Sequence, residues 1–115
     1  MAELIRQGDD LVVKLSPLEK VEAAHGDVRV PFSAVQGAEA VDDAAHAVPG
    51  WKVVGAEWPG SFAIGTFSGG PDHQKTFAVV HHDHPRGVKV HLEGAKFDLI
   101  VLSCPDPEAV LSQLG

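Results

Sequence analysis

Residues 61–114 read SFAIGTFSGGPDHQKTFAVVHHDHPRGVKVHLEGAKFDLIVLSCPDPEAVLSQL, and the fold turns on how this stretch is parsed. Four runs rich in β-branched and aromatic residues, Phe62–Phe67, Thr76–His82, Gly87–Glu93 and Phe97–Ser103, are separated by glycine, proline and aspartate. Such runs, bounded by turn formers, read as strands. Gly65, in the middle of the first, marks a bulge or a close backbone approach. Phe97–Ser103 is apolar on both faces, Leu99 and Val101 against Ile100 and Leu102, and is expected to be the best-buried strand. The short link Asp83-His84-Pro85-Arg86 suggests a hairpin between the second and third runs. Phe77 and Val79 would then share a core face with Val88, Val90 and Leu92, through pairs such as Val79 with Leu92. The outer face would carry Ala78, Val80, His82, Lys89, His91 and Glu93, with His81 turned to the core side near the open end. Asp106 then caps a helix that has Pro107 at its first position and Val110, Leu111 and Leu114 as its apolar stripe. So short a helix must dock on the strands to persist.

Upstream, Leu11, Val13 and Leu15 alternate with Asp10, Val12 and Lys14, the period of a strand with one buried face. Ser16-Pro17-Leu18-Glu19 has the spacing of a capping box opening a helix over 17–25, with Leu18 and Val21 on its apolar face and Gly26 ending it. Asp27–Phe32 alternates again, and Pro31, which lacks an amide donor, must lie at an edge, a bulge or the strand end. Ser33–Val41 is a weaker strand interrupted by Gly37. Residues 42–60 are poorly patterned and read as a long loop with turns at Pro49-Gly50 and Pro59-Gly60, pinned to the strands by Trp51 and Trp58. The tally is about seven antiparallel strands in two orthogonal sheets, with a short helix after the first strand and a C-terminal helix capping one corner, all in a single domain spanning 1–115.

Several motifs carry a resemblance: VPFSAV at Val30–Val35, GTF at Gly65–Phe67, FAVV at Phe77–Val80, VKVHLEG at Val88–Gly94 and FDLIVLSCPDPEAVLSQL at Phe97–Leu114. Together they resemble the bacterial pleckstrin-homology-like domains of unknown function. The resemblance implies a pleckstrin-homology-like β-barrel that serves as a protein- or peptide-binding module, with no catalytic signature. Phosphoinositide binding is not implied, because the region from Asp9-Asp10 to Asp27 is acidic where that activity needs basic residues.

Composition narrows the function. The chain has 115 residues and a net charge of −7, with no cluster of Lys and Arg. This argues against nucleic acid, whose phosphates demand several placed cations, and against anionic membrane surfaces. A lone cysteine, Cys104, forbids an intrachain disulfide. With no signal peptide and no apolar run near the roughly 20 residues of a membrane span, a cytoplasmic protein is expected.

Candidate chemistry is sparse. His82, His84 and His91 are the one trio suited to a divalent metal, although their spacing matches no established zinc pattern. Cys104 precedes a helix N-terminus, where a thiolate is favoured, but nothing in the sequence supplies a base, and a small buried residue is the plainer reading. Gly65 and Gly69-Gly70 lack the helix and lysine of a phosphate cradle. Asp9-Asp10 and Asp42-Asp43 read as solvated turn residues. Trp51 and Trp58 either pin the 42–60 loop or line a binding surface. The expectation is a non-catalytic module without a cofactor. Its partner would be an unidentified protein or peptide added at a sheet edge beside the C-terminal helix, and homo-oligomers are possible.

Overall fold

The computed structural model describes residues 2–23, 25–58, 62–70 and 73–114, with residues 57 and 58 described by their backbone. The chain runs β1 (Glu3–Gln7), β2 (Asp10–Lys14), α1 (Pro17–Ala23), β3 (Val28–Pro31), β4 (Val35–Val41), β5 (Trp51–Trp58), β6 (Phe62–Gly69), β7 (Gln74–His81), β8 (Gly87–Leu92), β9 (Leu99–Ser103) and α2 (Pro107–Leu114). Single 3-10 turns at Phe32–Ala34 and Ala45–Ala47 flank β4. Two sheets form, one ordered β1-β2-β3 and the other β4-β8-β9-β7-β6-β5. The protein is therefore a mainly β sandwich.

The main core lies between the sheets. Leu4, Leu11, Val13, Val28 and Val30 of the small sheet meet Ile64, Phe77, Val79, Val88, Val90, Ile100 and Leu102 of the large one. The helices fill the margins left by the small sheet: α1 packs on β5 and β6, and α2 on β1, β4 and β8. The outer face of the large sheet is also buried. Ala63, Phe67, Ala78, Val80 and Val101 form a second cluster, covered by the 42–50 segment through Ala44, Ala45, Ala47 and Val48. With both faces covered, all five residues of β9 are buried, as the two-sided apolarity of LIVLS requires.

The expected hairpin between Thr76–His82 and Gly87–Glu93 does not form. β9 inserts between these strands, parallel to β7 (Phe77 opposite Ile100) and antiparallel to β8 (Val90 opposite Ile100). Val79 therefore faces Leu102, not Leu92. The strand that is apolar on both faces takes the interior of the sheet, and a hairpin would have forced it to an edge. Among the described residues there are nine strands, not seven, and one pair is parallel.

Two strands add to the expected set. β1 pairs with β2 through a two-residue turn at Gly8-Asp9, where Gly8 has φ 61°. The Gly-Asp turn signal was present in the sequence, but Glu3–Gln7 is too polar to announce a strand. β5 replaces half of the expected 42–60 loop. Its alternation is broken by a bulge at Val53, between the pairs Lys52–Phe67 and Val54–Thr66. Trp51 is 72% exposed, with one edge of its ring beside Gly69 of β6, and is not the buried anchor expected. Pro59-Gly60, the second expected turn, lies outside the described residues.

α1 begins as its capping box dictates. The Ser16 amide donates to Glu19 Oε1 at 2.9 Å, and the Glu19 amide donates to Ser16 Oγ at 3.2 Å. The buried face is not the expected one, however. Glu19 and Ala23, one turn apart, face inward, whereas Leu18 and Val21 are 68% and 78% exposed. In a seven-residue helix only one stripe can be buried, and the polar contacts of Glu19 select it. Downstream, Pro31 ends β3, itself an edge strand, as its missing donor requires.

Gly55 and Gly65 stand opposite one another at φ 137° and 139°. A Cβ on Gly65 would lie 2.2 Å from the Val54 carbonyl oxygen and 2.7 Å from Gly55 Cα. Gly65→Ala is therefore expected to cost at least about 2 kcal/mol, from a backbone clash on top of an unfavourable φ. Urea denaturation measures that loss, and Gly26→Ala is the control, because a Cβ there meets nothing within 4 Å.

Candidate functional site

β4 is an edge of the large sheet, with β8 on one side and no strand on the other among the described residues. Its pairing slips between Val35 and Gly37, so Gln36 bulges out of the ladder. α2 closes the space beside this edge. Its first turn is fixed by Asp106, whose carboxylate accepts the Ala109 amide at 3.2 Å, and by an ion pair between Glu108 and Arg86 at 2.5 Å. Val110, Leu111 and Leu114 turn towards the core, as their spacing required. Between strand and helix lies a groove of about 300 Å³. Phe32, Val35, Gln36, Gly37 and Ala38 form one wall, and Leu111 and Leu114 the other. A free strand edge offers unpaired amides and carbonyls, and a groove beside it takes alternate side chains of an extended chain.

The polar centre of the molecule lies elsewhere, under α1. Glu19 is 2% exposed and its carboxylate accepts a hydrogen bond from His81 Nε2 at 3.0 Å. An ionised carboxylate only accepts, so the ring nitrogen is the donor. Burial pushes the Glu19 carboxyl up, but the bonds from His81 and from Ser16 outweigh it and hold the group below its ordinary range. His81 is fixed in turn at its backbone. Its amide donates to Ser103 Oγ at 2.9 Å, and that hydroxyl donates to the His81 carbonyl at 3.3 Å. The Ser103 side chain thus adds a rung where the β7–β9 ladder ends at Val79–Leu102. The hydroxyl bonds to backbone and the imidazole to a carboxylate, so the three residues form a structural clamp. His81 does lie on the core side, as expected.

The candidate trio of histidines is dispersed. His91 is level with Leu99, and Leu99 with Thr76, six residues before His82. Six residues of strand put His82 and His91 roughly 20 Å apart along the sheet. The cause is the insertion of β9, which removes the hairpin that would have joined them. His91 lies 3.6 Å from Glu39, and the His84 amide closes the turn onto the His81 carbonyl at 2.9 Å. Among the described residues no three His, Cys, Asp or Glu side chains gather as for a metal.

Cys104 is a buried residue at the end of β9. Burial, and after it the charge of Asp106, pushes its thiol up, against a weaker opposite pull from Arg86. The acids on the first turn of α2 thus oppose the thiolate that a bare helix N-terminus would favour. The thiol lines an apolar pocket of about 250 Å³ with Leu4, Val88, Leu102 and Val110. The acidic pairs are surface features: Asp10 meets Arg29 at 2.9 Å, Asp42 meets Arg86 at 3.7 Å, and Asp43 bonds His46. No family model, no curated protein and no solved structure matches the chain.

Glu19 generates a pH dependence. A carboxyl held below its ordinary value contributes stability above the unfolded pKa and loses it as pH falls through the folded one. Glu19→Gln should therefore be clearly less stable than wild type at about pH 6, and the two should converge well below pH 4.5. A gap that stays constant across denaturation curves at each pH would show that the carboxylate charge is not its source. His81→Ala, which leaves the carboxylate buried, should cost about 2–3 kcal/mol near neutral pH, less than for a fully buried pair because the ring is partly exposed.

Proposed function

We propose that this chain is a non-catalytic protein- or peptide-binding module, and that an extended segment of its partner adds to the free edge of β4 against α2. The observation that carries this reading is the groove between a strand edge that is unpaired among the described residues and a docked helix. Main-chain bonds to β4 supply affinity, and the pocket under Leu111 supplies side-chain selectivity. The motif resemblance to bacterial pleckstrin-homology-like domains supports the same use, since the Phe97–Leu114 ending that carries it supplies the helix wall of the groove. Binding in place of catalysis is supported by the chemistry of the candidate nucleophiles. The Cys104 thiol is disfavoured as a thiolate, and the Ser103 hydroxyl is engaged with backbone. Lipid headgroups are not proposed as ligands, because the β1–β2 turn carries Asp9 and Asp10.

Selection from a displayed random-peptide library, followed by NMR titration with the selected peptide, tests the proposal. Shifts should concentrate at Val35–Val41 and Pro107–Leu114. Leu111→Lys should weaken binding at least about tenfold by replacing an apolar side chain of the groove wall with a charge. His82→Ala and His91→Ala should leave affinity unchanged. Shifts confined to another surface, or binding indifferent to Leu111→Lys, would overturn the placement.

A further inference from the structure

The opposite edge of the large sheet is β5, and it differs in kind from β4. The exposed large hydrophobic side chains among the described residues are Leu18, Val21, Trp51, Val53 and Val54. All five lie on α1 or β5, which pack against each other. Exposed apolar residues scattered singly are ordinary, but their confinement to two neighbouring elements marks an interaction surface. A long apolar edge strand also invites pairing.

The register of β5 indicates the partner. Because Val53 is bulged, β5 presents seven rungs to β6: positions 51, 52, 54, 55, 56, 57 and 58, opposite Ser68 through Phe62. Gly55 is the middle rung. Lys52 and position 57 stand opposite Phe67 and Ala63, both members of the outer cluster, so they share the outer face. Positions 51, 54, 56 and 58 share the inner face, over which α1 lies. An antiparallel pair of identical strands has its two-fold axis normal to the sheet, which keeps each residue on its face and sets one residue opposite itself. With the axis at Gly55, position 52 of each copy meets position 57 of the other, 54 meets 56, and 51 meets 58. Without the bulge, positions 52 and 57 would fall on opposite faces and no such register would exist. In sequence this register sets Lys opposite Glu, Val opposite Ala and Trp opposite Trp, so the strand is matched to itself.

We infer that a second copy of this chain docks antiparallel on β5, centred on Gly55, to give a two-fold dimer with a continuous twelve-stranded sheet. This interface is separate from the β4 groove and leaves it open in both copies.

Sedimentation equilibrium over a wide concentration range, on wild type, Lys52→Glu and the double variant Lys52→Glu/Glu57→Lys, tests the inference. Wild type should dimerise reversibly. Lys52→Glu sets like charges opposite twice and should raise the dimer Kd about tenfold, and the double variant should restore it to within about threefold. Both positions are on an edge strand, and circular dichroism checks that the fold is kept. In wild type, β5 amides should exchange more slowly at dimer-forming concentrations, while β4 amides are unchanged. A monomer at all concentrations, a dimer indifferent to Lys52→Glu, or a loss that the double variant does not restore would each overturn the inference. A peptide bound at β4 by a strictly monomeric protein would refute the dimer alone.

Discussion

The burial of β9 on both faces is the constraint on which the rest of the sandwich depends. LIVLS has no polar face to offer water, so it occupies the interior of the large sheet between β8 and β7. That position separates β7 from β8 and makes one parallel pair, and it requires cover above and below. The β1-β2-β3 sheet supplies one cover, and the 42–50 segment with Ala44 and Val48 supplies the other. It also leaves β4 and β5 as the two edges of the large sheet among the described residues, each open to pairing with another chain.

The margins of the sandwich solve a different problem. The small sheet has three strands and the large one six, so part of the inner face needs helices. α2 meets the need in the ordinary way, with an apolar stripe turned to the core. α1 meets it with a glutamate. The capping box brings Glu19 round to the buried side, His81 receives it, and Ser103 holds the His81 backbone in place. The consequence is a helix with its larger apolar side chains outward beside the most exposed strand, so the polar anchor and the apolar surface follow from one choice of helix face.

Local patterns made much of this legible. The capping box at Ser16–Glu19, the Asp106 cap, the stripe of α2 and the two-sided apolarity of Phe97–Ser103 all depend on neighbours in sequence, and all are present. The candidate site was legible as a class, a sheet edge beside the closing helix, because α2 had to dock. Which edge it would flank was not, since that depends on strand order. The histidine trio failed for the same reason. Its expected proximity rested on joining consecutive strands, and β9, some twenty residues later in the chain, intervened. β5 was hidden by a bulge, which breaks the period by which a strand is recognised.

The sequence by itself determined where helices start, that β9 is buried on both faces, and that no charge cluster exists for nucleic acid or headgroups. These are properties of composition and of spacing along the chain. The tertiary structure decided strand order, the inward face of α1, the separation of His82 from His91 and the pairing of Gly55 with Gly65. Each of these is a competition among distant segments for the same buried surface, and its outcome depends on which arrangement covers β9 on both sides.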